Sequence, residues 1–294
     1  MTPPPGPISV LETRFQNPIL LAAGTAGFGR EVSGVITLDR LGGVITKSVS
    51  PEPRAGHPAP RVAEFAGGML NAIGLANPGV AATRDQELPW LAAHLRRARV
   101  LVSVVGATVE DYVTVIETLT HQTVVTAFEL NLSCPNTARG GEHFGADDQV
   151  LADLVRRCRA ASSRPVVVKL APTLSDMART AKVAADAGAD GLAVVNTFPG
   201  TLYDASAGSV AGRQLRLGAG QGGVSGPALL PMGVLATGRV REATDLPVIG
   251  VGGVRTVDDV RQYLEAGASL VAVGTAALAR PRLPEQLAAA LAYG

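Results

Sequence analysis

Eight short, nearly unbroken apolar runs recur along the chain, at 18–24, 43–49, 100–106, 127–133, 165–171, 191–197, 246–253 and 269–275. Runs without polar alternation suit strands that are buried on both faces. Between them lie longer stretches with Ala and Leu at helical spacing, near 30–40, 78–97, 108–119, 147–161, 175–187, 227–243, 256–266 and 284–292. Asp-Ala-Gly-Ala-Asp at 186–190 and Glu-Ala-Gly-Ala-Ser at 265–269 each stop a helix with glycine and lead into a strand. Eight strand–helix units in 294 residues predict a closed parallel (β/α)8 barrel of the TIM type, one domain spanning 1–294. Within an N-terminal extension, 1–16, residues 7–15 are expected to form a small hairpin on the barrel floor.

The competing architecture is an open doubly wound sheet. It would want a glycine-rich turn straight after the first strand, and Gly24-Thr25-Ala26-Gly27-Phe28-Gly29 matches only loosely. A formal G-x-G-x-x-G at Gly218, Gly220 and Gly223 has no strand before it and reads as chance. Two connections are unusually long, 50–77 and 198–225, and both follow strands, which puts both on the catalytic face of a barrel.

Composition narrows the class. Hydrophobic residues make up 47% of the chain and charged residues 17%, with a formal net charge of +1. Nothing there points to nucleic acid or an anionic membrane. No apolar run reaches the roughly 20 residues needed to span a bilayer. MTPPPGPISV lacks the features of a signal peptide, so the cytoplasm is expected. Two cysteines, Cys134 and Cys158, exclude a disulfide framework or a four-cysteine cluster within this chain. The histidines (His57, His94, His121, His143) are scattered, so no protein-bound metal is expected.

Polar residues gather where the predicted strands end. Lys47 closes the second, Ser103 nears the end of the third, and Asn131 and Cys134 close the fourth. Lys169 closes the fifth, Asn196 and Thr197 the sixth, Gly252-Gly253 the seventh and Gly274-Thr275 the eighth. Polar side chains at one mouth of a barrel mark an active site. Glycines after the last two strands suit phosphate, because they bare backbone N–H groups; the bland alternative is tight turns. Two strand-end lysines suggest an anionic ligand. Lysine also snorkels to solvent from such positions, and a Schiff-base lysine would suit an aldolase or synthase. Cys158 lies mid-helix and reads as core. Cys134, followed by Pro135 and flanked by asparagines, reads as chemical.

These segments resemble the class 1 dihydroorotate dehydrogenases, and class 1B most closely. The resemblance rests on Lys47, Asn71-Ala-Ile-Gly-Leu-Ala-Asn-Pro-Gly79, Glu129-Leu-Asn-Leu-Ser-Cys-Pro-Asn136, Lys169-Leu, Asn196-Thr197, Gly222-Gly-Val-Ser-Gly-Pro227 and Gly250-Val-Gly-Gly253. It implies an FMN-binding barrel that oxidises (S)-dihydroorotate to orotate in de novo pyrimidine biosynthesis. Ala23, Gly24, Lys47, Ser48, Ser103, Asn131, Lys169, Val195, Gly226, Gly252, Gly253, Gly274 and Thr275 would line the flavin. Lys47, Asn71, Ile73, Gly74, Leu75, Asn131, Asn136, Asn196 and Thr197 would hold the substrate. Cys134 falls on the family's catalytic base, where membrane-associated class 2 enzymes have serine. Departures from the family pattern stand at Ala23, Ser103 and Leu230, where serine, asparagine and lysine are usual.

By resemblance, the chain is expected to form a homodimer and to pass electrons to a separate subunit carrying FAD and a [2Fe–2S] cluster. The alternatives are a fumarate-linked class 1A enzyme or another FMN-dependent pyrimidine-reducing barrel.

Overall fold

The computed structural model describes residues 6–132, 135–136, 142–145, 147–204 and 214–293. Eight strands close a barrel in sequence order: β1 (Ile19–Leu21), β2 (Gly43–Ile45), β3 (Arg99–Val104), β4 (Val125–Asn131), β5 (Val166–Leu170), β6 (Gly191–Val194), β7 (Val248–Val251) and β8 (Leu270–Val273). Every neighbouring pair is parallel, including β8 with β1, which closes the ring. The expected (β/α)8 barrel is the architecture observed. Most strands are shorter than the apolar runs that announced them, because the runs continue past the last ladder bond into the mouth.

Alternation along each strand separates two cores. Ile19, Leu21, Val44, Val100, Val102, Phe128, Leu130, Val166 and Val168 face outward and pack under the helices. Leu20, Ala22, Ile45, Leu101, Ala127, Val167, Ala193, Ile249, Leu270 and Ala272 fill the interior. The interior cluster also takes in Leu11 and Phe15 from the N-terminal hairpin, Ile8–Val10 paired with Thr13–Phe15. Leu11 sits against Gly191 at the start of β6, so the hairpin plugs the barrel floor as expected.

Helices run over Val109–Leu119, Asp148–Ala161, Met177–Asp186, Leu230–Ala243, Val257–Glu265 and Leu283–Tyr293, with a short one at Thr275–Ala279. A further helical stretch from Gly79 to His94 winds its middle turn, Thr83–Glu87, as π-helix. Thr108 and Thr256 each open a helix with a reciprocal capping box, using Asp111 and Asp259. The stretch 30–40 is not an α-helix. It forms two 3-10 turns, Arg30–Val32 and Leu38–Arg40, because Gly29 enters with φ 94° and Ser33-Gly34 interrupts the middle.

The two long connections fold together. Phe198–Gly200, Gly222–Ser225, Gly68–Asn71 and Val62–Phe65 form one antiparallel four-stranded sheet outside the barrel. Gly218, Gly220 and Gly223 belong to this lid sheet and the turn before it. A side chain at Gly223 would overlap Thr197, and one at Gly222 would overlap the Asn71 carbonyl. A side chain at Gly218 would strike the Pro58 and Ala59 carbonyls, and Gly220 has φ 79°, so close approach and a positive φ explain the three motif glycines without a dinucleotide.

Phe15 is fully buried at the floor, where few atoms can collapse into a cavity. Phe15→Ala is therefore expected to cost about 3–5 kcal/mol of stability, read as a lower urea midpoint at unchanged slope.

Candidate functional site

The alternation that buries Ile45, Leu101, Ala127 and Val167 points the residues two further along the same way. Those residues are Lys47, Ser103, Glu129 and Lys169, with Asn131 two beyond Glu129. The barrel interior therefore turns polar at the C-terminal ends of its strands.

A hydrogen-bonded row crosses this mouth. Ser48 and Ser103 hydroxyls lie 2.9 Å apart, and Asn131 donates to Ser48 at 3.0 Å. Asn196 donates to the Asn131 side-chain oxygen at 3.1 Å, and its own oxygen accepts the Thr197 N–H at 2.8 Å. The Tyr112 hydroxyl donates to the Asn131 carbonyl at 2.7 Å, which fixes the end of β4 from the helix behind it. The Ser48–Ser103 pair thereby joins the ends of β2 and β3 across the mouth.

Two lysines share this mouth, Lys47 just after β2 and Lys169 on β5, between the strands that carry Asn131 and lead to Asn196. Lys169 is buried, with its Nζ 3.6 Å from a carboxylate oxygen of Glu129. Lys47 is half-buried, and no described carboxylate pairs with it. Burial, and then the nearby Arg61 guanidinium, hold the Lys47 ammonium below the ordinary lysine range. Lys47 and Arg61, close together and with no described carboxylate paired to either, leave a positive field that suits an anion.

Over the mouth stand the lid sheet and the loop that follows its Gly68–Asn71 strand. Asn71 donates to the Gly223 carbonyl at 3.0 Å and so ties two lid strands. The loop then passes Ile73, whose carbonyl accepts from the His57 N–H, and turns through Gly74 (φ 71°) and Leu75 (φ 56°). A positive φ at leucine is uncommon and is held here by Asn77. The Asn77 amide donates to the Ser50 hydroxyl and the Leu75 carbonyl, both at 2.8 Å, and its oxygen accepts from the Ser50 and Gly79 N–H groups. Asn77 thus pins the loop to the strand end after β2.

Three glycine segments converge beside β7 and β8. Gly226, Gly252 and Gly253 have φ of 109°, 124° and 77°, open to glycine and strained for other residues. A Cβ on Gly253 would strike the backbone of Leu230, and the Thr275 hydroxyl donates to Ser225 at 2.8 Å. Leu230 packs on the outer core rather than presenting a polar group. Gly274 faces Ala22 and Thr25 across the β8–β1 seam, next to Ala23 and Gly24, whose φ is 79°. Val195, after β6, is buried among apolar neighbours.

Most of the expected site residues thus gather at one mouth. Cys134 lies outside the described residues. Asn136 is described only through its backbone, in a two-residue strand paired with Glu142–His143. Two residues of the site were not singled out from sequence. Glu129 carried a signal, being an acid at an inward position of an apolar strand. Asn77 carried none beyond its place in the Asn71–Gly79 segment. Cys158 is core, fully buried, its thiol pushed up to about 12 by desolvation. Among the described residues no three His, Cys, Asp or Glu side chains are placed to hold a metal.

The chain is similar along nearly its whole length to known proteins. Residues 7–292 match the protein family described as dihydroorotate dehydrogenase. The "dihydroorotate dehydrogenase B (NAD(+)), catalytic subunit" of Geobacillus kaustophilus is 44% identical over 267 residues, covering 91% of this chain and 83% of that one. The like-named protein of Listeria welshimeri is 44% identical over 261 residues, 89% of this chain and 84% of that one. That of Cutibacterium acnes is 43% identical over 274 residues, 93% of this chain and 88% of that one. With its barrel, its polar mouth and a match that runs nearly end to end, the chain belongs to the dihydroorotate dehydrogenase family.

Proposed function

We propose that this protein is the catalytic subunit of a class 1B dihydroorotate dehydrogenase, oxidising (S)-dihydroorotate to orotate in de novo pyrimidine biosynthesis. The observation that carries the reading is the carboxamide row, Asn131 to Asn196, at the mouth that also carries Lys47 and Lys169. Carboxamides match the alternating N–H and C=O edges of a pyrimidine, and a lysine matches its carboxylate.

The mouth also fits FMN. Gly226, Gly252 and Gly253, where an added Cβ would be strained, and beside them Gly274 and Thr275, offer a cradle that suits the phosphate. Ala23, Gly24, Ser48, Ser103, Asn131 and Val195 would line the ring system, with Lys47 and Lys169 supplying positive charge to it. When bound, FMN supplies a hydride acceptor.

The chain's own residues do the rest. Asn71, Asn131, Asn136, Asn196 and Thr197 orient the pyrimidine, while Ile73, Gly74 and Leu75 cover it. Lys47 holds the substrate carboxylate. The Cys134 thiolate removes the proton from C5 as the hydride leaves C6, so the C5–H and C6–H bonds break and the ring double bond forms. A thiol ordinarily titrates near 8.5, which favours mildly alkaline turnover.

Electrons leave through a partner. Two cysteines cannot ligate a [2Fe–2S] cluster, so a separate subunit with FAD and that cluster completes transfer to NAD. We place the enzyme in the cytoplasm as a homodimer. The exposed Val62, Phe198, Tyr203 and Leu215, on and beside the lid sheet, suit an interface between copies.

Three outcomes are expected. Cys134→Ala retains FMN and orotate but reduces flavin about 10²–10⁴-fold more slowly in stopped flow; near-native reduction at neutral and alkaline pH sinks Cys134 as base. Orotate binding weakens as pH rises, because the depressed Lys47 loses its proton first and only the ammonium attracts the carboxylate. Titration calorimetry across pH should show this fall in the native protein and not in Lys47→Met. Finally, the isolated chain turns over with an artificial dye and reduces NAD only with its partner. Efficient turnover with fumarate alone would assign it to class 1A instead.

A further inference from the structure

Glu129 takes no part in the chemistry above, yet it is fully buried inside the barrel. Neither of its carboxylate oxygens has a hydrogen-bond partner among the described residues. Among the described residues it is paired with Lys169 on the adjacent strand, 3.6 Å away and also buried. In such a place an isolated carboxylate picks up a proton and an isolated ammonium gives one up. Each is the counter-charge that the other has within the barrel among the described residues. The inward positions of β1, β3, β6, β7 and β8 at this level carry Ala22, Ser103, Ala193, Val251 and Ala272, none of them charged. Other charged groups at the mouth among the described residues are Lys47, after β2, and the Arg61 guanidinium near it; Cys134, after β4, lies outside them.

We propose that Glu129 is a positioning residue that keeps Lys169 protonated whether or not an anion lies above it. Lys169 then meets the flavin as a fixed cation rather than as a group that gains a proton when negative charge arrives. This rests on the reading that Lys169 faces FMN. Two-electron reduction of FMN with uptake of one proton leaves one negative charge on the ring. A lysine already held as ammonium answers that charge without binding a proton. A lysine deprived of Glu129 is neutral beside the oxidised ring and takes up a second proton as the ring is reduced.

The test is potentiometric titration of the FMN-loaded protein at several pH values around neutrality. The native protein is expected to show the slope of one proton per two electrons, and Glu129→Gln the slope of two. The double variant Glu129→Gln/Lys169→Gln, with no lysine left to titrate, returns to one. A one-proton slope in Glu129→Gln, with the potential shifted in Lys169→Gln, overturns the proposal alone. An unshifted potential in Lys169→Gln overturns the flavin placement, and the proposal with it. Should Glu129→Gln fail to fold, thermal unfolding decides. Lys169→Gln strands a buried carboxylate and should melt below the double variant, and equal melting temperatures overturn the pairing.

Discussion

A parallel strand covered on both faces has two kinds of position, and closing eight such strands into a ring makes them unequal. Outward positions meet helices and accept any apolar side chain that fits under them. Inward positions share a narrow interior that side chains must fill completely. In this protein that filling is done by Leu20, Ile45, Leu101, Val167 and their neighbours, sealed below by Phe15 and Leu11. The same alternation carries the chain upward to Lys47, Ser103, Glu129, Asn131 and Lys169. The site is therefore the place where inward positions stop being apolar. Its side chains are held by the rigid ladder of the barrel, which is what a row of hydrogen bonds near 3 Å needs.

How much of this the sequence reveals depends on how local the cause is. Strands buried on both faces write themselves as apolar runs, so all eight could be read directly. Capping residues and glycine stops made most helices legible as well. The segment 30–40 misled because its spacing is helical while Gly29 and Ser33-Gly34 favour tighter turns. The lid sheet was invisible for a different reason. Its strands are three or four residues long, rich in glycine, and find partners far away in the chain. Nothing local distinguishes Gly222–Ser225 from a loop.

The site divides along the same line. Strand-end lysines and asparagines announce themselves as polar residues in apolar surroundings. Glu129 does so too, two places before Asn131, but an acid inside a barrel is easily read as part of a motif and passed over. The role of Asn77 lies in four hydrogen bonds to backbone and side-chain groups that only the folded loop brings within reach. The departures at Ser103 and Leu230 find their contacts only in three dimensions, Ser48 in one case and the outer core in the other.

The lid sheet also has a meaning in time. Asn71 and Gly223 are joined by a hydrogen bond although 152 residues separate them. Closing a loop of that length costs entropy that no lid contact can recover until the intervening barrel strands have shortened the path. The cover over the mouth is thus among the last parts of the molecule to form. As the chain leaves the ribosome, the first six strands emerge with half a cover and nothing to pair it with. A competent pocket exists only after residue 225 has folded onto residue 69, so binding competence arrives late and all at once.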